Sequence, residues 1–153
     1  MTYSLNDKVV LITGAAGGIG AATARALFEQ GARLVLTDLR QADVDALAAE
    51  FDAARWLALA LDGTDMRASR QAVADAVRRF GRLDVVFANA GIAWDPPKTV
   101  LTVDDAEFEK IVEVDLLGVW RTVKAALPEI VKNRGQVLTT SSIYAFMNGT
   151  INA

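Results

Sequence analysis

Three glycines and the strand before them carry the first chemistry in this sequence. They stand in Val9-Val10-Leu11-Ile12-Thr13-Gly14-Ala15-Ala16-Gly17-Gly18-Ile19-Gly20, with the spacing Thr13-Gly14-x-x-x-Gly18-x-Gly20. An apolar run leads into a glycine-rich turn and then into the first turn of a helix. Gly14 lets the chain leave the strand sharply. Gly18 has no side chain, so a pyrophosphate can approach the backbone there, with Ile19 beside it. Gly20 lets the helix sit close on the sheet. The helix start offers unpaired N–H groups and the positive end of its dipole, which suits an anionic phosphate. Any tight strand-to-helix turn can use glycines, so the fingerprint counts only in a strand–turn–helix context. That context is present.

Four more polar groups follow at the ends of later apolar runs. Asp38 lies about 18 residues beyond the last motif glycine, where a carboxylate can accept hydrogen bonds from ribose hydroxyls and repel a 2′-phosphate. Leu39 follows it. No Lys or Arg stands among residues 15 to 17 to attract that phosphate, so NAD is expected rather than NADP. A solvated loop acid is the alternative for Asp38, and Arg40 nearby reads as a surface side chain. Asp62, before Gly63, can either accept from an adenine amino group or begin a turn. Asn89-Ala90-Gly91 and Ser141-Ser142 complete the set.

The composition removes other chemistries. Among 153 residues there is no cysteine and no histidine. Disulfides, thiolate nucleophiles, Ser-His-Asp triads and the common zinc motifs are therefore excluded, and no metal site is expected. A general base has to be Asp, Glu, Lys or Tyr. The net charge of −3 argues against a nucleic-acid partner. The apolar fraction of 52% never gathers into a run of membrane-spanning length, and the first residues do not read as a secretory signal. A cytoplasmic protein with one domain over residues 1–153 is expected.

The elements that must position these groups alternate strand and helix. Strands are expected at Lys8 to Thr13, Arg33 to Thr37, Trp56 to Leu61, Asp84 to Ala88 and Gln136 to Thr140. Between them lie helices at about Gly18 to Gln30, Ala42 to Phe51 and from Asp65 to Gly81. A long fourth helix is expected from Val103 to Lys132, capped by Thr102 and Asp105. In the first helix Ile19, Ala22, Thr23, Ala26 and Leu27 share a face, and in the third Val73, Ala76, Val77 and Phe80. Several strands are apolar without alternation, as parallel strands covered on both faces are. The fold class is therefore α/β, a doubly wound open parallel sheet of Rossmann type, incomplete at its C-terminal side. Ligands in such sheets bind beyond the C-terminal strand ends, where every polar group named above falls.

These residues, in this order, resemble the classical short-chain dehydrogenase/reductase family, N-terminal part only. The resemblance implies that Asn89, Ala90 and Gly91 steady the central sheet beside the cofactor, and that Ser142 polarises the substrate oxygen. It implies an NAD-dependent oxidoreductase moving hydride between nicotinamide and a secondary alcohol or ketone. At Asp115, within Val114-Asp115-Leu116-Leu117-Gly118, the family usually has an asparagine that holds a water in a proton relay. Phe108, Ile111, Val112, Asp115, Val119, Thr122 and Val123 share one helical face, so Asp115 is expected in an apolar stripe, where a carboxylate needs a partner. Either it keeps a polar role and alters the relay, or it binds a buried backbone N–H. The opposite face, with Val114, Leu117 and Trp120, implies cover by a second copy and hence a homo-oligomer.

The family's Tyr-x-x-x-Lys pair follows the serine by about a dozen residues. In it a lysine lowers the phenol pKa from near ~10. This sequence reaches Ala153 first, and the residue four beyond Tyr144 is Asn148. The expectation is that the natural chain continues and that these 153 residues alone are inactive. A catalytically inactive dinucleotide-binding module or fragment is the alternative. A methyltransferase using S-adenosylmethionine also places glycines and an acid after its first two strands, but the Asn-Ala-Gly turn and the serine pair speak against it. Asp95-Pro96-Pro97 reads as a rigid loop, and Trp94, Ile143 and Phe146 hint at an apolar substrate.

Overall fold

A computed structural model describes residues 4–93, 98–99 and 101–142. The expectations for Trp94, the Asp95-Pro96-Pro97 loop, Ile143, Tyr144, Phe146 and Asn148 lie outside the described residues. Five parallel strands form one sheet: β1 (Val9–Thr13), β2 (Arg33–Asp38), β3 (Trp56–Ala60), β4 (Val85–Ala88) and β5 (Gln136–Thr139). Their order is β3-β2-β1-β4-β5. β1 pairs with β2 from Val9–Arg33 to Thr13–Thr37. Its ladder with β4 ends earlier, at Ile12–Phe87. Past that point the two central strands part and open a crevice between their ends.

Helices cover both faces of the sheet, as a doubly wound architecture requires. On one face, α1 (Gly18–Glu29) and α2 (Gln41–Ala48) pack over Val10, Ile12, Leu34 and Leu36. On the other, α3 (Met66–Phe80) and α5 (Val119–Lys132) pack over Val9, Leu11, Val35 and Val86. β1 thus buries all five of its residues and β2 its inner four, and each fully buried aliphatic side chain contributes about 1.5–3 kcal/mol. β5 and β3 are the edge strands of the described sheet, and all four residues of β5 are exposed.

The helices depart from the sequence reading in three ways. In α1 the buried residues are Gly20 and Ala24. Ile19 is 60% exposed, and Ala22 and Ala26 are exposed as well. The close seat that Gly20 takes on the preceding loop sets the helix rotation, and an alanine-rich helix has no strongly apolar stripe to oppose it. The long fourth helix is not one regular α-helix. It runs as α4 (Asp105–Ile111), a π-helical segment Val112–Gly118, and α5. The wider π turns insert extra residues, each turning the downstream face by roughly 100°. The buried stripe is therefore Gly118, Thr122, Ala126 and Ile130. Asp115 is exposed, not buried, and so is Phe108. Lastly, the α4 cap is Asp104, whose N–H donates to Glu107 Oε2 at 3.4 Å. Thr102 instead accepts from the Thr99 N–H at 2.9 Å and closes the turn before it.

At the opposite end of the sheet from the crevice, buried Asp84 ties three elements. Its carboxylate accepts from the Val9 N–H at 3.0 Å and from Arg82 Nε and Nη2 at 2.8 and 2.6 Å, while Lys8 Nζ lies 3.3 Å away. Its carbonyl accepts from the Gln136 N–H at 2.9 Å. Burial alone raises the pKa of this acid, but the Arg82 and Val9 hydrogen bonds and the charges of Arg82 and Lys8 outweigh it and hold the group below the usual carboxylate range. A lowered folded pKa means that the stabilisation is complete above the unfolded value near ~4 and is lost as pH falls through the folded one. Asp84→Ala is expected to cost about 2 kcal/mol at pH 7, the lower end for a buried acid because Arg82 is half in solvent. Urea unfolding of both proteins at pH 7 and pH 3 checks this, and the gap should narrow at the lower pH.

Candidate functional site

The crevice beyond the strand ends is a cleft of about 1450 Å³. That exceeds the roughly 300–1,000 Å³ that holds a drug-sized ligand, and suits an extended one. Thr13, Gly14, Gly18, Ile19, Asp38, Leu39, Asp62, Gly63, Asn89, Ala90 and Gly91 all line it. The sequence reading singled out every one of these, and the fold brings them to one wall-to-wall groove.

The glycine turn forms its floor. Gly14 has φ +63°, and a Cβ there would lie 2.9 Å from Ala90 Cα. Only glycine meets both conditions without strain. A Cβ on Gly20 would overlap the Gly14 carbonyl oxygen. Gly20 therefore serves close packing of α1 on its own leading loop, a nearer neighbour than the sheet. At Gly18 nothing stands within 4 Å of the Cβ position, so the space above it is open. Gly17 is the helix N-cap and brings no side chain to cap the first N–H groups of α1.

Asp38 closes one end. Its Oδ2 accepts from the Ala16 N–H at 3.0 Å and its Oδ1 from the Leu39 N–H at 2.8 Å. The acid is thus fastened to the glycine turn, an interaction that only the backbone of Ala16 provides and that no side chain advertised. Arg40 also lines the cleft and pairs with Asp43 at 2.6 Å, although its side chain is 76% exposed. Asp62 makes the turn that was one of its two readings: Oδ1 accepts from the Thr64 N–H at 2.9 Å and from Thr64 Oγ1 at 2.7 Å. These bonds, with the charge of Arg121, outweigh desolvation and lower its pKa. Behind it, the buried Gly118 approaches Gly63, where a Cβ would sit 3.5 Å from the Gly63 carbonyl oxygen.

The centre is held by Thr13 and Asn89. Thr13 Oγ1 accepts from the N–H groups of Asn89 and Ala90 at 3.0 and 3.1 Å. Asn89 Nδ2 donates to the carbonyls of Thr13 and Gly14 at 3.1 and 3.2 Å. Asp115 Oδ1 accepts from the Ile92 N–H at 2.9 Å, just after the Asn-Ala-Gly turn. That is the backbone-anchoring reading of this acid, on an exposed N–H. Ser142 is exposed and lies beyond the cleft lining. Just past β5 the lining takes Thr140, which the sequence did not single out, as it did not Thr64, Lys110 or Glu113. Val114, assigned to the outer helix face, also lines the cleft.

The sequence matches the short chain dehydrogenase family over residues 8–153. It is 40% identical to a cis-4-hydroxycyclohexanecarboxylate dehydrogenase of Sinomonas cyclohexanicum, covering 94% of this chain and 58% of that protein. A short-chain dehydrogenase/reductase structure from Brucella melitensis, glucose/ribitol dehydrogenase, superposes with a TM-score of 0.91 at 32% identity, covering 99% of this chain and 64% of the other. The 3-ketoacyl-(acyl-carrier-protein) reductase of Brucella melitensis, complexed with NADH, superposes with a TM-score of 0.87 at 33% identity, over 94% of this chain and 60% of that one. The chain spans about half the length of the curated relatives it matches.

Thr13→Val keeps the shape and removes the acceptor shared by two backbone N–H groups. The expected cost is about 1–3 kcal/mol in unfolding free energy, from leaving part-buried donors without a partner. Thr13→Ser, which keeps the oxygen, should lose about 1 kcal/mol or less. Equal losses in the two variants would show that the oxygen does not matter.

Proposed function

The chain belongs to the short-chain dehydrogenase family, and from that premise we propose that it is the nucleotide-binding part of an NAD-dependent oxidoreductase acting on a secondary alcohol or ketone. The observation that carries this reading is the joint arrangement of an open Gly18 and an Asp38 carboxylate fastened to the same turn. A pyrophosphate fits the open floor at the start of α1, where N–H groups and the helix dipole favour it. The two carboxylate oxygens of Asp38 keep lone pairs for ribose hydroxyls. They oppose a 2′-phosphate, and Arg40 in the cleft wall is paired to Asp43. Thr13, Gly14, Ile19, Leu39, Asn89, Ala90 and Gly91 would line the nucleotide, and Asp62 with Gly63 its adenine end.

A bound nicotinamide dinucleotide would give or take the hydride. The chain's own residues bind and orient. In this reading Ser142 holds the substrate oxygen. Asp115 acts on the site through Ile92, whose N–H it anchors, and that task needs only an acceptor. Neither tyrosine of these 153 residues starts a Tyr-x-x-x-Lys pair: Asp7 stands four beyond Tyr3, and Asn148 four beyond Tyr144. In this reading these 153 residues bind nucleotide without turnover. The exposed apolar side chains Leu116, Leu117 and Trp120 support contact with a second copy. Among the described residues no helix is long and apolar enough to cross a membrane.

Titration with NADH and NADPH, followed by nicotinamide fluorescence, tests the reading. NADH is expected to bind at least about tenfold more tightly, a difference of ~1.4 kcal/mol. Asp38→Ala should remove most of that preference. Binding of neither nucleotide would end the proposal, and an unchanged ratio in the variant would end the role of Asp38.

Asp115→Asn preserves the acceptor for Ile92, so NADH affinity should stay within about twofold, whereas Asp115→Leu should weaken it about three- to tenfold. In the full-length enzyme the rate–pH profile of Asp115→Asn should match the wild type. A displaced profile would assign the carboxylate a proton-relay role instead.

A further inference from the structure

We propose that Thr140 is a positioning residue for the nucleotide, acting through Asn89 on the glycine turn. The inference rests on the nucleotide reading above. Thr140 follows β5 and lines the cleft, and its backbone N–H donates to the Ala88 carbonyl at 3.2 Å, which docks it beside the end of β4. Its Oγ1 donates to Asn89 Oδ1 at 2.8 Å. The Asn89 carboxamide then has all its polar atoms engaged. Its Nδ2 donates to the Thr13 and Gly14 carbonyls, so the oxygen has to face β5. Turning the amide over would set Oδ1 against two carbonyl oxygens.

The Gly14 carbonyl is the next link. It accepts from Asn89 Nδ2 and also from the N–H of Gly17, the N-cap of α1, at 3.2 Å. A continuous line of hydrogen bonds thus runs from the Thr140 hydroxyl through the Asn89 carboxamide to the start of the phosphate-facing helix. The ladder between β1 and β4 has ended at Ile12–Phe87, and this line takes over the alignment of their tips. The hydroxyl hydrogen is committed to Asn89, so the residue needs an O–H and not merely a β-branched shape. Valine is isosteric and lacks that donor, while serine has it.

The experiment compares NADH affinity of the wild-type chain, Thr140→Val and Thr140→Ser, with hydrogen exchange of the Asn89 carboxamide measured by NMR without nucleotide. The valine variant is expected to bind about three- to tenfold more weakly and the serine variant within about twofold of wild type. In the wild type, the Asn89 carboxamide protons should exchange at least about tenfold more slowly than those of exposed Asn6. Wild-type affinity in the valine variant overturns the proposal, and so does equal weakening in both variants, which would assign the effect to shape. If the valine variant does not fold, exchange in the wild-type and serine proteins decides: slow exchange in both supports the lock, and fast exchange in either overturns it. Failure of the wild type to bind NADH would instead sink the nucleotide reading, with the exchange rates still judging the lock.

Discussion

Where β1 and β4 part, the backbone groups on their facing edges lose their ladder partners. A buried polar group without a partner is costly, and the cost falls at the one place where the sheet must stay open. Two side chains resolve the conflict. Thr13 turns its hydroxyl to the N–H groups after β4, and Asn89 turns its carboxamide to the carbonyls after β1. The crevice can exist because its walls are satisfied from within. Everything else at the site is referred to this joint: the glycine turn leaves from Thr13, the Asn-Ala-Gly turn leaves from Asn89, and Asp115 secures the segment that follows at Ile92.

The two ends of the sheet use charge differently. At the end away from the cleft, Asp84 is buried and fully engaged by Arg82, Lys8 and the Val9 N–H, so the acid serves cohesion. At the cleft end, Asp38 is half-buried and held by two backbone N–H groups, with its charge left facing the groove. Neutralising Asp84 by cations and leaving Asp38 to backbone dipoles separates an acid that holds strands together from one that can recognise a ligand.

Much of this arrangement was readable in the sequence because parallel strands covered on both faces leave an unmistakable trace. Runs such as Val9 to Ile12 and Leu34 to Leu36 are apolar at every position, and a polar residue marks each end. The helices were less readable. Alanine-rich α1 gave no strong stripe, and contact at Gly20 decided its rotation. The π-helical segment broke the 3.6-residue period on which the face of Asp115 had been assigned, which is why that acid came out exposed. Thr140 was overshadowed by the serine pair beside it, since a hydroxyl's partner across 51 residues of chain leaves no local signal. Ala16 left none at all, because it acts through its backbone.

The spacing of these contacts along the chain has a kinetic consequence. The bond from Thr37 to Ile12 spans 25 residues, whereas the bond from Asn89 to Thr13 spans 76. Closing the longer loop costs about 1 kcal/mol more in chain entropy. The β1-β2-β3 half is built from short crossovers and can assemble from local units. The joint with β4, and with it both walls of the cleft, has to wait for the distant segment to arrive. The β1–β4 seam, with the cleft at one end and Asp84 at the other, is therefore the part of the sheet whose closure costs the most chain entropy.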